Sequence, residues 1–186
     1  MILLSLALVS WGAFAQHDHS KMDSKMTNKS MVQASVKVNR SQSASIIIDN
    51  YLALKDALVK EDSKNAASSG KKLFDAFAKF DISAQTKQQQ KELSEIIEDA
   101  SEHAEHISEN SGNIGHQREH FEILSKDIKD LIIITGSDRT LYQAFCPMYN
   151  NNEGGAWLST SKEIKNPYFG NKMLKCGSVQ QEISVK

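Results

Sequence analysis

The sequence predicts a mainly α protein: an antiparallel four-helix bundle carrying a small irregular and β C-terminal cap. Three observations predict it. No proline interrupts the chain between Ser45 and Gly136. Across that stretch apolar residues recur at three- and four-residue spacing, the period of an amphipathic helix. The last fifty residues then change character, with both prolines, both cysteines and a dense cluster of turn-forming residues.

Each helix has its own stripe. Ile47, Tyr51, Leu54 and Leu58 share one face, widened by Ile48, Leu52 and Val59. Asp62 or Ser63 is placed to cap a second helix with Ala66, Gly70, Leu73, Phe74, Phe77 and Phe80 on its inner face. Ser83 is the candidate cap of a third, with Leu93, Ile96, Ile97, Ala100, Ala104 and Ile107 inward and a solvated face of Glu92, Glu95, Glu98, Asp99, Glu102, Glu105 and Glu109. The segment 110–115 breaks it. A fourth helix carries Ile114, Phe121, Leu124, Ile128, Leu131 and Ile132, and Gly136 closes it. Short connections make antiparallel packing the economical way to bury four such stripes.

Beyond residue 136 the segment 150–155, Asn-Asn-Asn-Glu-Gly-Gly, supplies the left-handed conformations of a tight reversal. It separates two runs suited to a hairpin, Leu141 to Phe145 and Ala156 to Leu158, and Val179 to Ile183 offers another strand. Trp157, Tyr168 and Phe169 read as the packing core of the cap.

The N-terminal end reads differently. Residues 2–15 carry no charge and finish Ala13-Phe14-Ala15, an apolar core before a small-x-small cleavage site. They are expected to be a signal peptide cleaved after Ala15 and too short for stable membrane insertion, which sends the mature chain to a periplasm. Residues 16–43 are polar and aperiodic, the composition of a disordered tether. The domain plan is thus 1–15 signal, 16–43 tether, 44–136 bundle, and 137–186 a cap forming one domain with the bundle. A formal net charge of −1 with no basic stripe gives no footprint for nucleic acid. No nucleophile elbow or phosphate loop is present, and the chain does not read as an enzyme.

Two constellations carry chemistry. Cys146-Pro147-Met148 and Met173-x-x-Cys176 pair soft sulfurs of the kind Cu(I) prefers. The same cysteines could instead close a disulfide worth roughly 3–4 kcal/mol in the chain-entropy model, or simply pack. Spacing leaves these readings open. The second constellation is imidazole: His103 and His106 end the third helix, His116 and His120 begin the fourth, and an antiparallel hairpin brings all four to one end. Such rings suit Zn or divalent copper, with Glu102, Glu105 or Glu119 as further ligands or orienting partners. His17, His19 and Met22 form a third, looser capture tract in the tether.

The chain from about Ile46 onward resembles a bacterial domain family of unknown biochemical function, found as small exported proteins and appended to periplasmic adaptor subunits of copper/silver-type heavy-metal efflux pumps. The residues carrying the likeness are Tyr51 to Leu58, Gln117-Arg118, Phe121, Leu124-Ser125, Cys146-Pro147-Met148, Trp157-Leu158-Ser159, Asn166-Pro167-Tyr168-Phe169-Gly170, Met173 and Cys176-Gly177. The resemblance implies a helical domain in periplasmic metal handling, with Cys146, Met148, Met173 and Cys176 as the candidate site. A metal ion and an efflux adaptor are the implied partners. The expected function is therefore an exported copper-binding protein for sequestration or delivery. The alternative is a non-catalytic interaction module with a Cys146–Cys176 disulfide that docks on an adaptor or another envelope partner.

Overall fold

The computed structural model describes residues 34–186, so the expected signal peptide and His17, His19 and Met22 lie outside the described residues. The chain runs β1 (Ala34–Val38), α1 (Ser45–Val59), α2 (Ser63–Phe77), α3 (Lys87–Glu109), α4 (Ile114–Thr135), β2 (Leu141–Cys146), β3 (Gly155–Ser159) and β4 (Ser178–Val185). It is mainly helical, four helices with a small four-stranded sheet. No helix among the described residues is long and apolar enough to cross a membrane.

The helices pack in succession, α1 on α2, α2 on α3 and α3 on α4. Their predicted stripes are the core: Ile47, Tyr51, Leu54, Leu58, Ala66, Leu73, Leu93, Ala100, Ile107, Phe121, Leu124 and Ile128 are all buried. Gly70 lets α2 and α3 approach closely, since a Cβ there would lie 2.9 Å from the Ala104 carbonyl oxygen. Asp62 caps α2 by accepting from the Asn65 amide at 3.0 Å. The cap of α3 is Thr86 rather than Ser83. Thr86 and Gln89 form a reciprocal capping box, and Ser83 belongs to the preceding turn, its amide donating to Asp81.

Strand order in the sheet is β1-β4-β2-β3. The β2–β3 hairpin is antiparallel with Ala144 opposite Trp157, and its loop places Asn150, Asn151 and Asn152 at positive φ. β4 pairs antiparallel with β2, while β1 adds in parallel on the other side, Val36 opposite Ile183. The strand β1 corrects the expected tether, which extended to residue 43. Ala34-Ser35-Val36-Lys37-Val38 alternates apolar and polar over only five residues, too few to stand out in a polar stretch. Its strand state comes from hydrogen bonds to the far end of the chain. Gly136 ends α4 at φ +87°, and its missing Cβ makes room for the Asn39 carbonyl just beyond β1.

The C-terminal segment packs on α1 and α4 through its motif residues. Asn166, fully buried, accepts the amides of Tyr168 and Phe169 and donates to the Cys176 carbonyl at 2.9 Å. Tyr168 donates to the Ala156 carbonyl. Arg118 on α4 donates to the carbonyls of Pro167 at 2.8 Å and Leu58 at 3.3 Å, tying the loop to two helices. Gln117 donates to the carbonyls of Ser63 and Ile107, holding the start of α2 to the end of α3.

Candidate metal centre

The turn between Glu109 and Ile114 reverses the chain, and Asn113 caps α4 by accepting the His116 amide. This brings the late turns of α3 beside the early turns of α4, and the four histidines meet there. His103 is buried; His106, His116 and His120 are half-buried. His116 and His120 approach with their Nε2 atoms 3.2 Å apart. The rings of His106 and His120 stack at 4.5 Å, nearly parallel. One ligating atom from each of His106, His116 and His120 lies within 4.8 Å of the others.

Carboxylates orient these rings. His116 Nδ1 sits 3.0 Å from Glu119 Oε2, so that nitrogen carries the proton and donates, leaving Nε2 as a lone-pair donor facing His120. His106 Nε2 lies 3.8 Å from Glu102. Glu105, the other expected acid, is exposed on α3. Two nitrogens bound about 2.0–2.1 Å from one tetrahedral ion stand about 3.3 Å apart, so the 3.2 Å gap already has ligand spacing. Burial pushes the His120 imidazole down to about 4, helped by the repulsion of a positive charge by His106, His103 and His116. A ligating imidazole must be neutral, and this ring is neutral through the whole physiological range.

A layer deeper, His103 Nδ1 meets His120 Nδ1 at 2.9 Å. The other His103 nitrogen faces Asp99 Oδ1 at 3.5 Å, and a carboxylate oxygen of Asp127 completes a group within 4.8 Å. Asp127 was not among the expected site residues. It sits on the buried face of α4, where its position among Leu124, Ile128 and Leu131 gives it the pattern of a core residue. A charged residue on an apolar stripe was the signal available in the sequence. Burial, with Asp99 adding repulsion, pushes its carboxyl up to about 7.

The four sulfur residues of the expected site all lie in the C-terminal segment. Cys146, buried at the end of β2, and Cys176, half-buried before β4, are unbridged, and the two thiols lie close enough to interact. Burial pushes Cys176 up to about 11, the neighbouring Cys146 adds to the rise, and the Met148 amide opposes it. Met148 makes that contact through its backbone while the residue as a whole is 52% exposed. Met173 is half-buried where a short 3-10 turn ends. The pairing of β2 with β4 brings the thiols together, and the imidazole cluster is the fuller donor set. A surface cavity of about 570 Å³ between α1 and the end of α2, lined by Ile46, Lys72 and Phe80 among others, contains none of these ligands.

Fold and site together define a helical protein with an imidazole–carboxylate cluster where two consecutive helices meet. A family model described as Protein of unknown function (DUF3347) matches residues 47–140, half of the chain, and the chain belongs to that family. The match covers the helices and stops before Cys146, so the family is carried by the helical part rather than by the sulfur motif. No curated protein and no solved structure matches the chain.

Proposed function

We propose that this chain is an exported, non-enzymatic metal-binding protein that holds copper for sequestration or delivery in a periplasm. The helical part is read as an antiparallel bundle whose α3–α4 end is the seat of capture. The observation that carries this reading is the 3.2 Å approach of His116 Nε2 to His120 Nε2, with Glu119 fixing the His116 tautomer. Nitrogen sites favour Cu(II) over Zn(II) among divalent ions, which supports copper before zinc. The adjacent thiols of Cys146 and Cys176 form a softer second seat suited to Cu(I), with Met148 and Met173 as the nearest thioethers in sequence.

The same thiol contact supports the alternative, an interaction module stabilised by a Cys146–Cys176 disulfide and docking on an efflux adaptor or another envelope partner. One preparation separates the two. The chain is isolated anaerobically, its free thiols are counted by mass spectrometry, and Cu(II) and Cu(I) are titrated against competing chelators. Tight stoichiometric Cu(II) uptake that His116→Ala abolishes supports capture by imidazole. No copper uptake in either oxidation state, with the cysteines bridged, overturns it in favour of the module.

A further inference from the structure

We infer that Asp99, His103 and Asp127 form a second cation position beneath the imidazole site, and that loading one position weakens the other because His103 and His120 share a single N–H. The inference rests on the imidazole reading above. It starts from an unsatisfied group: Asp127 is 5% exposed, and its Oδ2 has no hydrogen-bond partner. A buried carboxylate oxygen left unpaired is costly, more so when ionised, unless something at that point accepts its lone pairs. His103 and Asp99 supply the other ligating atoms within 4.8 Å. Two oxygens and one nitrogen make a harder donor set than three imidazoles, suited to Zn²⁺ or Mn²⁺ more than to copper.

The weakening follows from the Nδ1–Nδ1 contact of 2.9 Å, which holds one hydrogen. With an ion on His120 Nε2, the neutral ring carries its proton on Nδ1 and donates to His103. His103 then keeps its own proton on Nε2, facing Asp99, and cannot ligate there. With an ion on His103 Nε2 the roles reverse, and His120 presents Nε2–H toward His116. Each singly loaded state keeps the hydrogen bond. Loading both puts two N–H groups head to head across 2.9 Å, so one ring must turn away and the bond is lost.

The test is a Zn²⁺ titration of the whole chain against a chelator, with Asp127→Asn, Asp99→Asn and His116→Ala alongside. Asp99 lies at the helix surface, which keeps the test alive if the buried variant fails to fold. Wild type should take one ion tightly and a second about tenfold or more weakly, the scale of an ordinary coupling free energy. The Asp99 and Asp127 variants should lose the second step and keep the first. His116→Ala should lose the first step and bind its remaining ion more tightly than wild type binds its second. Long-range ¹⁵N–¹H spectra of the singly loaded protein should find the His103 proton on Nε2. Two equal steps, an unchanged second step in both carboxylate variants, or a His103 proton on Nδ1 would each overturn the inference. Absence of the tight step in wild type would instead overturn the imidazole reading itself.

Discussion

The Tyr51 hydroxyl on α1 accepts the backbone amide of Leu158 in β3 at 2.9 Å. It also meets Ser125 Oγ at 2.8 Å, and Ser125 in turn donates to the Phe121 carbonyl. With the Ser125 proton engaged, Tyr51 must donate to Ser125, giving a directed chain from β3 through α1 to α4. All of it is buried, and burial raises the phenol far above its ordinary range. This chain fixes the sheet against the two helices that flank it.

Tyr51→Phe therefore leaves the Leu158 amide and one Ser125 lone pair without partners while conserving the ring stack on Phe121. The expected loss is about 1–3 kcal/mol, read as a lower urea midpoint at unchanged slope. Ser125→Ala should cost less, because the Tyr51 hydroxyl still accepts from Leu158.

Glu119→Gln tests the orientation of the ligand ring. The carboxylate that holds His116 Nδ1 is exposed, so stability should move by no more than about 0.5 kcal/mol. Metal affinity should fall by about ten- to a hundredfold, the usual effect of removing a partner that orients a ligating histidine. A chelator competition assay reads the difference.

Two groups give the metal-free protein opposite pH dependences. His120 titrates near 4 when folded and at its ordinary value of 6.5 when unfolded, so the unfolded chain binds more protons between those values. Its contribution is complete above 6.5 and is lost as pH falls toward 4, on the order of 1 kcal/mol after solvent screening. Asp127 is the reverse, its folded carboxyl near 7 against 3.8 unfolded, and its contribution is complete below 3.8 and lost as pH rises through 7. Asp127→Asn should therefore gain on wild type from pH 4 to pH 8, by on the order of 2 kcal/mol. Denaturant midpoints at four or five pH values check both signs.

Gly136→Ala should disturb the junction of helix and sheet. Its φ of +87° suits glycine, and a Cβ there would fall 2.3 Å from the Asn39 carbonyl oxygen. A loss of about 1–3 kcal/mol is expected, with faster proteolysis before residue 40 as β1 detaches. Limited digestion followed by mass spectrometry locates the cut.

The sequence by itself determined the helices. Ile47 to Leu58, Leu73 to Phe77, Leu93 to Ile107 and Phe121 to Ile132 announce themselves because a local period of 3.6 is written into consecutive residues, and the caps at Asp62 and Gly136 are local chemistry as well. It also showed that His103, His106, His116 and His120 meet at one end, since two helices joined by a short turn leave few other arrangements. Tertiary structure decided what depends on residues far apart in the chain. β1 exists because Val36 finds Ile183, and Asp127 joins the site because α4 turns it toward Asp99 and His103. The cysteines meet because β2 ends where β4 begins, and no spacing in a sequence states which atoms of two distant segments will touch.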